Sequence, residues 1–148
     1  MNKNLENKIL VGNLELCDLP ELAIENLNVR IDTGAATSSL HVDNISEFSR
    51  DGIDWVSFDI HPDAHNVDQI VRREAKIKAK RNIKSSNASS EKRFVIDTRF
   101  KLGIHIWEIQ LTLTDRSGMS YMMLLGRQAM GDKIVVDPSQ EYLLGALT

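Results

Sequence analysis

Cysteine is almost absent from this sequence, because Cys17 is the single cysteine among 148 residues. One thiol excludes an internal disulfide framework and any cysteine-based zinc finger. No apolar run approaches the roughly 20 residues that a membrane-spanning helix needs. The first residues also lack the apolar stretch of a signal peptide. We therefore expect a cytoplasmic protein with no membrane partner.

Aromatic residues and net positive charge are also scarce. Aromatic residues make up 5% of the chain, and the formal net charge is −3. Residues 72–93 are rich in Lys and Arg but contain no Phe, Tyr or Trp, so the stacking platforms of a single-strand nucleic-acid binder are missing there. No P-loop motif for ATP is present. The sequence thus predicts no nucleic-acid partner and no cofactor.

Alternation of apolar and polar residues with a period of two is frequent and is typical of half-buried strands. Val56, Phe58 and Ile60 form one such series. Two further segments flank Gly103 and predict a hairpin, with a β-bulge expected at Trp107.

Residues 71–84 also alternate with a period of two, which predicts a single solvent-facing strand there. The polar run 85–90 predicts a hairpin tip or a loop. The one good helix candidate is Arg127–Met130, ended by Gly131. No linker or repeat divides the chain, so we expect an all-β domain over residues 1–148 with one short C-terminal helix.

Two segments are most informative about chemistry. Asp32-Thr33-Gly34-Ala35 follows a strand-like run, so that a strand delivers an acid into a turn. Gly34 lets the backbone approach and donate its N–H to the carboxylate; Ala35 leaves room beside it, and the Thr33 hydroxyl can bond to a neighbouring copy of the turn. Further along, Leu124-Leu125-Gly126-Arg127 supplies apolar residues, a glycine and a helix start that could wall such a turn.

Together these segments resemble the retropepsin-like aspartic proteases, in which Asp-Thr-Gly-Ala is the catalytic turn and an apolar-apolar-Gly-Arg segment packs beneath it. Over nearly the whole chain the sequence is also similar to a retropepsin-like bacterial family labelled as ATP-dependent zinc proteases. The resemblance implies an acid-protease barrel and a link to an ATP-grasp ligase that adds glutamates to a ribosomal protein. The other matching segments are Leu19-Pro20-Glu21-Leu22, Ser39-Leu40-His41, His61-Pro62, Ser85-Ser86-Asn87 and Val136-Asp137-Pro138.

Aspartic proteolysis needs two carboxylates that share one proton, and this chain contains only one Asp-Thr-Gly. Asp97-Thr98-Arg99 has arginine in place of the required glycine, so it does not qualify. The second aspartate must then come from another chain. We predict a homodimer with Asp32 of each subunit on the two-fold axis, with Asp32 as general acid and base and with Thr33 and Gly34 fixing its geometry.

The sequence departs from the retropepsin pattern at two places. Residues 76–93, the candidate flap over the site, contain no glycine and are basic. Ala36 stands where retropepsins usually place an aspartate that pairs with the Arg of the Gly-Arg segment, so Arg127 must pair elsewhere, for instance with Asp43, or face the cleft. A basic flap would attract carboxylates, and an oligoglutamate tail would suit it; a solvated basic strand is the alternative interpretation. We assign Ala35, Arg127, His41, Lys84 and Asn87 to substrate binding.

Two alternatives remain open. A zinc peptidase would need three protein ligands and an open position, and His61-Pro62-Asp63-Ala64-His65 has two histidines at helical spacing but lacks the Glu of H-E-x-x-H. We therefore predict no metal site. The other alternative is a non-catalytic scaffold that recognises a glutamate ligase or a ribosomal protein.

Overall fold

A computed structural model of the chain describes residues 7–62, 69–84, 90–115 and 121–145, without the side chains of residues 83, 84, 90 and 91. The described residues form eleven strands, a single 3-10 turn at Pro20–Leu22 and one short helix. In chain order the elements are β1 (Ile9–Val11), β2 (Leu14–Leu19), β3 (Ile24–Ile31), β4 (Ser38–Arg50), β5 (Ile53–Ile60), β6 (Val71–Lys76), β7 (Ala79–Lys84), β8 (Ser90–Leu102), β9 (His105–Asp115), β10 (Met123–Leu125), α1 (Arg127–Met130) and β11 (Ile134–Val136).

Six of the strands close into a barrel. Their order is β10, β3, β2, β8, β9 and β4, and β4 pairs again with β10. Strands β5 and β6 extend the sheet outward from β4, and β7 pairs with the first part of β8. Apolar side chains such as Leu27, Phe100 and Leu111 fill the interior and are fully buried. The predicted all-β barrel with one short helix is confirmed.

The hairpin predicted around Gly103 is present, but the bulge predicted at Trp107 is wrong. Gly103 makes the turn with a φ of 62°. The β8–β9 register is unbroken from Leu102↔His105 to Val95↔Thr112. Even-numbered residues of β8 face odd-numbered residues of β9, so Phe100 stands opposite Trp107 and both apolar series lie on one face without a shift. The rings of this pair meet edge to face, with centroids 5.1 Å apart.

Residues 71–84 form two strands and not the single strand that the alternation predicted. β6 pairs with β5, whereas β7 pairs with β8. The chain changes partner at Ile77 and Lys78, whose N–H groups donate to Asp54 and Val95 carbonyls at 3.0 and 2.7 Å. Ile77 packs partly against the core, so this part of the chain is not wholly solvent-facing. Alternation reports which residues face the same way, but it does not report a change of pairing partner.

The flap segment is a hairpin, because Lys84 of β7 stands opposite Ser90 of β8. The predicted tip or loop was residues 85–90; Ser90 begins β8, and residues 85–89 lie outside the described residues. The described part of the chain contains no helix that is long and apolar enough to span a membrane.

Glu15 is a carboxylate with no solvent exposure, and it fastens the C-terminal segment to β2. Its Oε2 accepts N–H groups of Gly12 and Leu143 at 2.8 and 2.9 Å, and its Oε1 accepts that of Leu144 at 3.2 Å. These backbone donors compensate the cost of burying the carboxylate. The segment after α1 is thereby held against the strand that leads into β3.

Candidate active site

The Asp32 turn begins where β3 ends. Asp32 N–H donates to the Leu125 carbonyl at 2.9 Å, so the pairing of β3 with β10 continues one residue past Ile31. Gly34 N–H donates to Asp32 Oδ1 at 2.9 Å, which is the hydrogen bond that the turn sequence predicts. Asp32 is half-buried, while Thr33 and Gly34 are exposed. The carboxylate is therefore held on one side by a backbone donor and lies beside an open surface of the turn.

The two segments singled out in the sequence meet directly beneath this turn. β10 lies between β3 and β4, parallel to the first and antiparallel to the second. Gly126 then passes so close to Thr37 that a Cβ atom on Gly126 would lie 2.5 Å from the Thr37 carbonyl oxygen. The Gly126 N–H donates to Ser38 Oγ at 2.9 Å. Only glycine fits this contact, since the opposing atoms belong to the backbone.

The start of α1 is fixed to the turn by hydrogen bonds. Arg127 N–H donates to the Ala35 carbonyl at 2.8 Å, and Gln128 N–H donates to the Ala36 carbonyl at 3.0 Å. The exposed Arg127 guanidinium donates to the Thr33 carbonyl at 2.9 Å. Since Ala36 offers no carboxylate, the Arg127 side chain stabilises the turn by binding the backbone carbonyl of Thr33.

Asp43, the partner suggested for Arg127, lies elsewhere in the network. Its Oδ2 is 2.6 Å from His61 Nε2. The suggested Arg127–Asp43 pairing is wrong, because Asp43 contacts His61 and the Arg127 guanidinium donates to the Thr33 carbonyl.

His41 lies on the same face of the sheet as Asp32 but is buried in β4. Arg30, Leu124 and Ser39 are neighbours in register on β3, β10 and β4 and share the face of Asp32. His41 lies two residues after Ser39 in β4 and therefore faces the same way. His41 Nδ1 is 2.8 Å from Thr114 Oγ1. Its ring centroid lies 5.8 Å from that of Tyr121. The substrate-binding role assigned to His41 remains a prediction.

Sequence reasoning missed Arg30 and Tyr121 as residues of this face. The Arg30 Cζ atom lies 5.6 Å from the centroid of the Tyr121 ring. The signal for Arg30 was available, because a residue two positions before Asp32 in a strand must share its face. No sequence pattern predicted that Tyr121 lies on this face. Its position follows from the pairing of β10 with both β3 and β4.

Two lysines of the flap form ion pairs with acids from other strands, which the flap sequence alone does not reveal. Lys80 forms ion pairs with Glu47 and, at 3.4 Å, with Asp54; Lys92 lies 3.6 Å from Glu47. The hydrogen bond from Lys80 lowers the pKa of Glu47 below its ordinary value. These acids come from β4 and β5. A count of charges along the flap alone therefore overestimates the positive electrostatic potential around it. Of the two flap residues assigned to substrate binding, the side chain of Lys84 and the whole of Asn87 lie outside the described residues.

The histidine pair considered for zinc is only partly described. His61 contacts Asp43 as above. His65, the other histidine of the pair, lies outside the described residues. The described part of the chain holds no group of three or more His, Cys, Asp or Glu side chains arranged to bind a metal ion.

Comparison with known protein families decides the relationship. Residues 10–145 match the model of a family described as RimB-like, after the retropepsin-like aspartic endopeptidase RimB. The chain belongs to this RimB-like family. The sequence resemblance to the retropepsin-like proteases is thereby confirmed. The shared fold is that of an aspartic protease.

Individual relatives extend this result. The chain is 49% identical over 140 residues to a probable alpha-L-glutamate ligase of Shewanella pealeana, covering 95% of this chain and 31% of the relative. A protein of the same name from Desulfotalea psychrophila is 44% identical over 148 residues, covering 100% of this chain and 32% of the relative. The chain thus spans about a third of the length of these curated relatives.

A solved structure has the same fold. The crystal structure of a Legionella pneumophila protein of unknown function superposes with a TM-score of 0.75 at 29% sequence identity. The match covers 91% of this chain and 97% of that one. The RimB-like barrel therefore accounts for nearly all of the neighbouring protein.

Proposed function

We propose that this RimB-like chain is an aspartic-type endopeptidase that acts as a homodimer. The observation that carries the proposal is the Asp32 turn, in which the Gly34 N–H binds Asp32 Oδ1 and the adjoining Thr33 and Gly34 are exposed. A second copy of this turn facing the first across a two-fold axis would bring the two carboxylates to about 3 Å from each other. The rigid support from Gly126 and Arg127 favours such an arrangement, because a catalytic carboxylate must be held in place.

The proposed chemistry is hydrolysis without a covalent intermediate. Two carboxylates this close share one proton, because both cannot be ionised at low cost. One Asp32 removes a proton from a water molecule, which attacks the scissile carbonyl carbon. The protonated Asp32 of the other subunit donates a hydrogen bond to the carbonyl oxygen as negative charge develops there. The proton taken from water then passes from the first Asp32 to the leaving amine nitrogen, and the peptide bond breaks.

The proposed substrates are peptides or proteins rich in acidic residues, with an oligoglutamate tail as the leading candidate. The names of the curated relatives, probable alpha-L-glutamate ligases, support this choice, since the chain matches about a third of their length. A cytoplasmic setting and an ATP-grasp ligase partner belong to the same proposal. These names also favour a second candidate function, a non-catalytic module that binds the ligase or its product.

Two inhibitors separate the proposed function from its alternatives. We expect a statine-type transition-state mimic to abolish cleavage of a glutamate-rich peptide, because its hydroxyl replaces the attacking water between the two carboxylates. A chelator such as EDTA should leave the rate unchanged. The measurement is the initial rate of peptide cleavage with each compound. Loss of activity with EDTA alone would support a zinc peptidase, and no cleavage under any condition would support the binding module.

A further inference from the structure

The face of the barrel that carries Asp32 also carries an exposed arginine. Val29 and Ile31 point into the core and are buried, whereas Arg30 between them is exposed. Side chains two residues apart in a strand point to the same face, and the β3–β10 pairing continues through Asp32. Arg30 and Asp32 therefore open on the same side of the sheet, with Leu124 next to Arg30 in register.

The Arg30 guanidinium is positioned by an aromatic ring and not by an ion pair. Its Cζ atom lies 5.6 Å from the centroid of Tyr121. Among the described residues, no carboxylate lies within ion-pair distance of Arg30. A guanidinium over a ring face interacts with the ring's π electrons, so that its N–H donors remain available, and their planar fork matches the geometry of a carboxylate.

The flap offers a weaker site for an anion than its sequence implies. Lys80 and Lys92 already bind Glu47, and Lys78 lies 3.8 Å from Asp97. Arg30 has no such partner within the described part of the chain. Arg81 of β7 also lacks one there, but only Arg30 lies two residues from Asp32 on the same face.

We infer that Arg30 is a specificity-determining residue that binds the carboxylate of an acidic substrate side chain next to the scissile bond. The inference rests on the proposed function. Because the proposed two-fold axis passes between the two Asp32 residues, the dimer presents one Arg30 on each side of the scissile bond. The preferred substrate therefore carries an acidic residue on both sides of the bond that is cut.

The first test compares internally quenched peptides with a Glu–Glu pair at the scissile bond against peptides with the isosteric Gln–Gln pair. Wild type should prefer Glu–Glu in kcat/KM, and Arg30→Gln should lower this preference by roughly ten- to hundredfold, as expected for hydrogen bonds to a charged group. In the same variant, kcat/KM for the Gln–Gln peptide should change little. If Arg30 had only a structural role, the substitution would lower kcat/KM for both peptides alike. Arg99→Gln, at an exposed arginine of β8 opposite Glu108, is the matched control and should keep the wild-type preference.

If a flap residue and not Arg30 causes the preference for Glu–Glu peptides, a substitution in the flap should remove that preference. Arg81, an exposed residue of β7, has no ion-pair partner among the described residues. If Arg81→Gln removes the Glu–Glu preference while Arg30→Gln keeps it, the inference is overturned.

The second test measures binding and does not depend on turnover. In the Asp32→Asn background, a fluorescently labelled oligoglutamate peptide should bind roughly ten- to hundredfold more weakly when Arg30→Gln is added. Fluorescence anisotropy gives both affinities. Equal affinities overturn the inference about Arg30. Absence of any cleavage that depends on Asp32, together with the expected loss of affinity, overturns the proposed function and leaves the role of Arg30 in acidic recognition supported.

Discussion

Replacing Asp32 by Asn should reduce peptidase activity by about a hundredfold to ten-thousandfold, the range that general acid–base catalysis supplies. In a homodimer the substitution removes both carboxylates at once, so neither the base nor the acid remains. The fold should persist, because the Asn amide oxygen can still accept the Gly34 N–H that binds Asp32 Oδ1 at 2.9 Å. The measurement is kcat/KM on a glutamate-rich peptide, together with the urea midpoint of unfolding.

The sequence supplies a matched control for this experiment. Asp97 begins the similar tripeptide Asp97-Thr98-Arg99, but it lies within β8 and its carboxylate faces Lys78 at 3.8 Å. Asp97→Asn makes the same chemical change and should retain activity, since partly exposed ion pairs at this distance contribute little to stability. Equal loss in the two variants, or full activity in Asp32→Asn, would contradict the assignment of Asp32.

A large effect on stability is expected at Gly126. Gly126→Ala should lower the free energy of unfolding by about 3 kcal/mol, because overpacking against rigid atoms is costly. The added Cβ would lie 2.5 Å from the Thr37 oxygen, 2.6 Å from its carbonyl carbon and 2.9 Å from its nitrogen. These atoms are backbone and cannot rotate away as a side chain could. Urea unfolding followed by circular dichroism measures the change.

Gly52→Ala serves as the comparison for Gly126→Ala. Gly52 has a φ of 77°, and no described atom lies within 4 Å of the position that a Cβ would occupy there. The substitution therefore tests backbone strain alone, at about 1 kcal/mol. A smaller loss of stability for Gly126→Ala than for Gly52→Ala would mean that β10 and the Asp32 turn do not pack as described.

Local chemistry made much of the site predictable. Asp32-Thr33-Gly34 requires a turn after a strand, and Leu124-Leu125-Gly126-Arg127 supplies a segment that can pack against it, so both could be recognised without coordinates. Their meeting follows from the passage of β10 between β3 and β4. The hairpin at Gly103 was equally predictable, because a glycine separates two alternating runs.

Two of the departures have a common physical origin, which is that residues distant in the sequence become neighbours in the folded chain. The residues of the flap are basic when counted alone, but Glu47 from β4 contacts both Lys80 and Lys92. Residues 75–80 alternate between apolar and basic side chains, yet the chain exchanges β5 for β8 as its partner near Ile77. The position of Arg30 on the face of Asp32 follows from the sequence, whereas its lack of a neutralising partner among the described residues is a property of the assembled face.

The central claim is that two chains complete one active centre, and subunit mixing tests it most directly. Wild-type protein is unfolded and refolded together with Asp32→Asn at constant total concentration, so that the chains combine at random. If each centre needs an aspartate from both chains, activity falls with the square of the wild-type fraction, and an equal mixture retains about a quarter of the activity. Activity that falls in simple proportion to the wild-type fraction would show that one chain acts alone, which would contradict the account.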